Sequence, residues 1–325
     1  MKPWQKILLI VLVVILGVAL IGPFLVPVPP LTDTVPAAQL ADPDSKFIKI
    51  GQLNVHYKEM GQGDTTFILL HGFGASLFSW HEVMQPFSQY GRVIAYDRPA
   101  FGLTDRPMPG EWKGVSPYST EANVELLAGL MDAVGVEKAI LVGNSAGGSV
   151  SVAFALKYPE RVQALILVDP ALYGNDGRFP QWLLPLMAAP QMRHVGPLLV
   201  RSIADSGNDT IRLAWHDPSL VTDEIVAGYR KPLKANNWDR ALYEFTIAAR
   251  PLGLEKRFAE LKMPVIVIAG DDDRIIPTAQ SIQASKDIPG SQLVVLPGCG
   301  HVPHEECPVT FMEAVTGFLE NLKTK

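Results

Sequence analysis

The stretch that decides the fold is Ala139-Ile140-Leu141-Val142-Gly143-Asn144-Ser145-Ala146-Gly147. The four leading apolar residues read as a buried strand. The pentapeptide after them fits G-x-S-x-G, in which a serine occupies a tight turn between a strand and a helix. Glycines flank the serine because side chains there would collide with the strand and the helix, and the strained turn pushes the hydroxyl outward. The next residues, Gly148-Ser149-Val150-Ser151-Val152-Ala153-Phe154-Ala155-Leu156, make a helix of small residues that can lie close to a sheet. A pentapeptide alone is weak evidence, and this context strengthens it.

A nucleophilic serine needs a base, and the base needs an orienting acid. Gly300-His301-Val302-Pro303 follows the strand-like Gln292-Leu293-Val294-Val295-Leu296 near the C-terminus. Between serine and histidine lies Val265-Ile266-Val267-Ile268-Ala269, then Gly270-Asp271-Asp272-Asp273-Arg274-Ile275-Ile276-Pro277. A carboxylate just past a strand end sits at the rim of an open sheet, where α/β sites form. The order is therefore Ser145, Asp273, His301. Asp271 and Asp272, beside Asp273, and Asp169, after an earlier strand, stay open as alternatives for the acid.

Further motifs fall in the same order. His71-Gly72-Phe73-Gly74 resembles an oxyanion loop, and Asp97-Arg98-Pro99-Ala100-Phe101-Gly102 a D-x-P-G-x-G turn with Ala100 replacing the usual glycine. Gly300-His301 with Glu305 and Pro308 resembles a histidine loop. The chain thus resembles the α/β-hydrolase fold superfamily, serine-nucleophile branch, over nearly everything after the first forty or so residues. The resemblance implies a mostly parallel eight-stranded sheet flanked by helices, with an inserted helical cap. It implies Ser145, Asp273 and His301 as catalytic residues, with the backbone N–H groups of Phe73 and Ala146 as the oxyanion hole. His304 is the nearest alternative base but lacks the glycine that precedes the family's histidine. His71 braces the oxyanion loop by the same analogy, and His56, His81, His194 and His216 read as surface or packing residues. Asp97 is expected to tie down its own turn by accepting backbone N–H bonds.

The domain boundaries follow from composition shifts. Residues 1–28 hold an apolar stretch after Lys2 and Lys6; its residues 7–25 would span about 28 Å as a helix, close to the hydrocarbon thickness of a bilayer. This reads as a single-pass anchor with the catalytic domain extracytoplasmic, the alternative being a cleaved signal segment and a secreted protein. Residues 29–45 read as a proline-rich extended spacer. Residues 46–170 and 262–325 form the core, opening on a hairpin of 46–50 and 53–59, with helices expected over 77–90 and 120–134. Residues 171–261 lack a convincing strand and read as the cap. Within it, residues 179–192 carry no charge; they read as the cap's underside packed on the core, with an acyl-binding wall or a membrane-contacting lid as the other readings. Gly72, Asn144, Trp182, Leu183, Met187 and Val302 are the candidate pocket residues.

At 325 residues, 48% hydrophobic and 19% charged, the chain has ample core for one large domain with an insertion. A net charge of −5 offers no basic face to nucleic acid. Cys299 and Cys307 make neither a zinc signature nor a disulfide framework and read as two free thiols, a bridge being open if the domain is exported. No metal, phosphate loop or dinucleotide fingerprint is present, so no cofactor is implied. Serine in the nucleophile slot disfavours the dehalogenase and epoxide-hydrolase relatives, which use aspartate. The first functional reading is a carboxylic-ester hydrolase, esterase- or lipase-like, acting on an apolar acyl substrate. The second is a C–C bond hydrolase of the meta-cleavage type, to which Gly143-Asn144-Ser145 and the small residues after it are similar, although Pro99-Ala100-Phe101-Gly102 departs from their turn. Thioester, lactone and amide hydrolysis and perhydrolysis share the machinery. A non-catalytic ligand-binding protein on the same fold is a further reading.

Overall fold

The central strands of this chain are apolar on both faces, the pattern of a sheet covered on both sides. Phe67 and Leu69 pack into one apolar layer with Phe87, Phe311 and Phe318. Their neighbours Ile68 and Leu70 pack into the opposite layer with Leu127, Met131 and Phe154. The computed structural model, which describes residues 1–173, 181–205, 207–248, 250 and 253–323, places eight strands in one sheet. They are β1 Lys46–Ile50, β2 Leu53–Met60, β3 Thr66–Leu70, β4 Arg92–Tyr96, β5 Ala139–Asn144, β6 Val162–Val168, β7 Val265–Gly270 and β8 Gln292–Leu296. Their order is β1-β2-β4-β3-β5-β6-β7-β8. Strands β1 and β2 pair antiparallel and β2 joins β4 antiparallel, while the other pairings are parallel. Because β3 lies between β4 and β5, strand order reverses there, and the loops leaving β3 and β5 meet at the carboxyl edge where such sheets build sites.

The helices are α1 Pro3–Leu25, α2 Met84–Ser88, α3 Thr120–Ala133, α4 Ala146–Lys157, α5 Leu184–Met187, α6 Pro190–Asp205, α7 Gly207–Leu213, α8 Asp223–Arg230, α9 Trp238–Ala248, α10 Thr278–Asp287, α11 Pro303–Glu306 and α12 Pro308–Lys323. Ser119 caps α3, its side chain accepting the Ala122 N–H. The single helix expected over 77–90 does not form. A 3₁₀ turn, Leu77–Trp80, and the short α2 replace it. Pro86 is tolerated only in a first turn, so a helix running through 77–90 would break there.

Helices α5–α9 form the insertion between β6 and β7, and the described residues there contain no strand. The charge-free stretch packs within this insertion rather than onto the sheet: Leu184 and Met187 join Val200, Trp238, Tyr243 and Ile247 in a separate apolar cluster. Residues 179 and 180 of that stretch lie outside the described residues. The expected spacer is not free either. Val35 donates to the Lys234 carbonyl and accepts from the Asn236 N–H, both at 2.9 Å, so the segment is clamped to the insertion. Helix α1 is long and apolar enough to cross a membrane, and none of its residues is buried.

Candidate active site

Strand β5 ends at Asn144 and α4 begins at Ala146, leaving Ser145 alone to make the turn, at φ +50° and ψ −119°. That left-handed strain is what turns a serine out of the sheet's edge. A Cβ on Gly147 would come 2.1 Å from the Leu70 carbonyl oxygen, and one on Gly143 2.6 Å from the Gly147 carbonyl oxygen, so neither position takes a side chain. Gly72 is more loosely constrained: a Cβ there would lie 2.9 Å from Asn144 Oδ1 and 3.2 Å from the Ser145 Cβ.

His301 and Asp273 meet on neighbouring loops after β8 and β7. His301 Nδ1 lies 2.7 Å from Asp273 Oδ2, and both side chains are buried. Asp273 Oδ1 accepts the N–H groups of Ile275 and Ile276, each at 2.8 Å, which holds the carboxylate still. With the ring proton on Nδ1, Nε2 carries the lone pair that a general base needs. The neighbouring acids are occupied elsewhere: Asp271 accepts from the Gly298 N–H, and Asp272 pairs with Arg274 and His216. His304 is fully buried, with its ring tilted against Trp80 at a centroid distance of 4.2 Å; burial lowers its pKa well below the usual imidazole value.

Asp169 is the unexpected neighbour. It follows β6 directly, at φ +42°, is fully buried, and accepts the Gly270 N–H on both oxygens at 3.2 Å. Burial, and then the Asp273 carboxylate, push its pKa well above the ordinary value. Its strand-end position was visible in the sequence; its contact with the other acid was not.

His71 braces the loop after β3. Its Nδ1 lies 2.8 Å from the Gly72 carbonyl and its Nε2 accepts the Arg98 N–H at 3.1 Å. Burial first, then the Arg98 guanidinium, lower its pKa to about 3, which keeps it neutral. The Arg98 side chain donates to the His71 and Gly72 carbonyls. Ala100, standing where the family's turn has glycine, takes φ +78°, the conformation that the glycine would supply.

The candidate pocket residues divide. Gly72 lies against Ser145. Asn144 is a strut: its Nδ2 donates to the Val168 and His301 carbonyls at 3.2 and 3.1 Å, tying the nucleophile turn to the histidine loop. Val302 packs on Trp215 and Val221 of the insertion. Met187 is buried in the insertion's own cluster, with Leu183 packed against it, and Trp182 is 77% exposed. The aromatic residues that do meet at the oxyanion loop are Phe73, Phe101 and Phe245, with ring centroids 4.8 to 5.7 Å apart. Phe73 keeps half its surface exposed. Sequence could not pair Phe245 with the others, since it lies in the insertion, 144 positions after Phe101. The insertion also holds the histidine directly: the His301 N–H donates to the Ala214 carbonyl at 2.7 Å.

Free thiols are the expectation for Cys299 and Cys307, and the structure corrects it. They are bridged, with Cα atoms 6.2 Å apart, because the turn through His301 and the short α11 fold the loop back on itself. The bridge closes the loop that carries His301.

A family profile for the alpha/beta hydrolase fold matches residues 65–308. The chain belongs to the α/β-hydrolase family. Among characterised members of this hydrolase family, it is similar to a 2-hydroxy-6-oxononadienedioate/2-hydroxy-6-oxononatrienedioate hydrolase of Comamonas testosteroni, 32% identical over 85% of this chain and 96% of that protein. Among solved structures it resembles a meta-cleavage product hydrolase from Pseudomonas fluorescens IP01, at 26% identity and TM-score 0.66 over 85% of this chain and 97% of that one. It also resembles a thermophilic esterase from Thermogutta terrifontis, at 25% identity and TM-score 0.67 over 85% and 99%. This α/β hydrolase is therefore a hydrolytic enzyme by family, with relatives that include C–C bond hydrolases.

Proposed function

We propose that this α/β hydrolase cleaves carboxylic esters of apolar acyl groups through an acyl-enzyme on Ser145. The observation that carries the reading is the Asp273–His301 hydrogen bond, on a loop that Asn144 ties to the Ser145 turn. Ser145 Oγ attacks the ester carbonyl while His301 Nε2 takes its proton and passes it to the departing alcohol. Water then attacks the acyl carbon, giving a proton to His301, which returns it to Ser145 as the acid leaves. Asp273 holds the imidazole tautomer and stabilises the imidazolium. The N–H groups of Phe73 and Ala146 receive the oxyanion, a contact worth about 3 kcal/mol per donor.

The acyl side of the reading rests on Phe73, Phe101 and Phe245, an aromatic wall suited to hydrocarbon. C–C hydrolysis is the second reading, favoured by the 32% identity to the Comamonas enzyme. That enzyme's named substrate is a dicarboxylate, which calls for cations around it. In this chain Arg98 turns onto main-chain carbonyls and Arg274 pairs with Asp272. Helix α1 serves as an uncleaved anchor, with the catalytic domain in an oxidising, extracytoplasmic space; the Cys299–Cys307 bridge supports that side of the membrane. A mature protein beginning after α1, read by intact mass, would show secretion instead.

The test is hydrolysis of p-nitrophenyl esters from C2 to C16, run beside a 2-hydroxy-6-oxo-dienoate followed by its absorbance. Ester turnover with a medium-to-long chain optimum is expected, and Ser145→Ala should lower kcat by about 10⁴-fold or more. Turnover of the dienoate alone would establish the second reading. Binding without turnover of either would leave a ligand-binding role.

A further inference from the structure

We propose that the outer face of the α5–α6 layer is a bilayer-contacting surface, so that acyl substrate reaches the site from the lipid phase. This rests on the ester reading for the identity of the substrate and on α1 as an anchor. Helix α1 does not hang from a loose tether. Gln191 Nε2 donates to the Leu20 carbonyl at 3.3 Å, and His194 Nε2 lies 3.0 Å from the Val26 carbonyl. The Phe24 and His194 rings are 5.7 Å apart, and Arg201 donates to the Pro29 carbonyl at 2.8 Å. Leu31 then packs into the insertion's apolar cluster. The residues involved, 191, 194 and 201, lie on one face of α6.

Depth follows from these contacts. Leu20 stands five residues before the end of α1, so its carbonyl lies about 7 Å inside the apolar helix. A membrane spanned by α1 therefore reaches Gln191, at the depth where interfacial helices rest, about 5–10 Å below the headgroup boundary. The same layer exposes large apolar side chains: Trp182 at 77%, Leu186 at 58% and Leu199 at 55%. Exposed apolar surface of this kind beside a membrane-spanning helix is covered by lipid, and tryptophan favours the interface. The insertion also contributes Phe245 to the aromatic wall and the Ala214 carbonyl to His301. The surface that meets the bilayer and the wall that meets the substrate thus belong to one helical unit. The substrate class this fits is a membrane-dissolved ester with a long acyl chain.

The test uses the full chain in phosphatidylcholine–phosphatidylglycerol vesicles. The two native cysteines are bridged, so Leu186→Cys or Leu199→Cys takes a single environment-sensitive fluorophore; Val309→Cys on α12 is the control. Blue-shifted emission at 186 and 199, quenched by shallow spin-labelled lipid, with water-like emission at 309, is expected. Water-like, unquenched emission at all three positions, or a protein that does not stay with the vesicles, overturns the surface. Leu186→Asp with Leu199→Asp should lower turnover of vesicle-dispersed long-chain ester about tenfold while soluble p-nitrophenyl butyrate is cleaved as before. Equal turnover of the dispersed ester by variant and parent overturns the entry route. If no ester is cleaved at all, the ester reading fails on its own, and the fluorophore depths still decide the surface.

Discussion

At the scale of single residues, buried carboxyls set the sharpest expectations. Asp97 accepts the N–H groups of Leu77 and Leu103 at 2.7 Å and lies 2.6 Å from His56 Nδ1. Its removal leaves buried donors unpaired, so Asp97→Ala should cost about 3–5 kcal/mol in urea melts at pH 7. Burial alone would raise its pKa, but the His56 hydrogen bond and charge outweigh it and hold the carboxyl below 3.8. Its stabilisation is therefore present above the ordinary carboxylate value and lost as pH falls through the lower folded value. Melts repeated in acid should show the variant's deficit shrinking. Asp169 has the opposite sign. Its folded pKa is raised, so its contribution is complete below the ordinary value and lost as pH climbs to the raised one. Asp169→Asn keeps an acceptor for Gly270 and a donor for Asp273 while removing that loss. The variant should be more stable than the parent at alkaline pH, with kcat nearly unchanged; a stability–pH series reads both signs. Asp97's role was legible from its turn motif, whereas His56, read as surface or packing, proved to be its buried partner.

At the scale of elements, the histidine loop carries a covalent strap that spacing did not predict. The Cys299–Cys307 bridge closes a loop eight residues apart around His301. Chain-entropy arguments make it worth about 2–3 kcal/mol. Cys299→Ala with Cys307→Ala should lower stability by that order and reduce kcat, because the base loses its frame. Urea melts and steady-state rates, with and without reductant, check both. The central strands were readable because they are short apolar runs bounded by turn residues. The helix expected over 77–90 was not, since its periodicity held while Pro86 broke it. Pairing of cysteines depends on residues distant in sequence.

At the scale of the whole molecule, the insertion is bolted to the core beside the site. Tyr229 on α8 donates to Glu305, a buried carboxyl whose pKa burial raises well above the ordinary value. Tyr229→Phe leaves Glu305 without that partner and should cost about 1–3 kcal/mol, with a raised KM for long-chain esters as the insertion loosens. Calorimetry and chain-length kinetics measure the two effects.

What the sequence by itself determined were the local patterns: the serine turn, the strand rhythm and an apolar N-terminal helix. Each depends on neighbours within about ten residues, where sterics and periodicity act directly. Only the tertiary structure decided which of the acidic residues faces His301, that Asn144 ties the Ser145 turn to the His301 loop, and that α1 lies against α6. Those outcomes depend on contacts between segments separated by tens to hundreds of residues, and burial and packing select them only once the whole chain has closed.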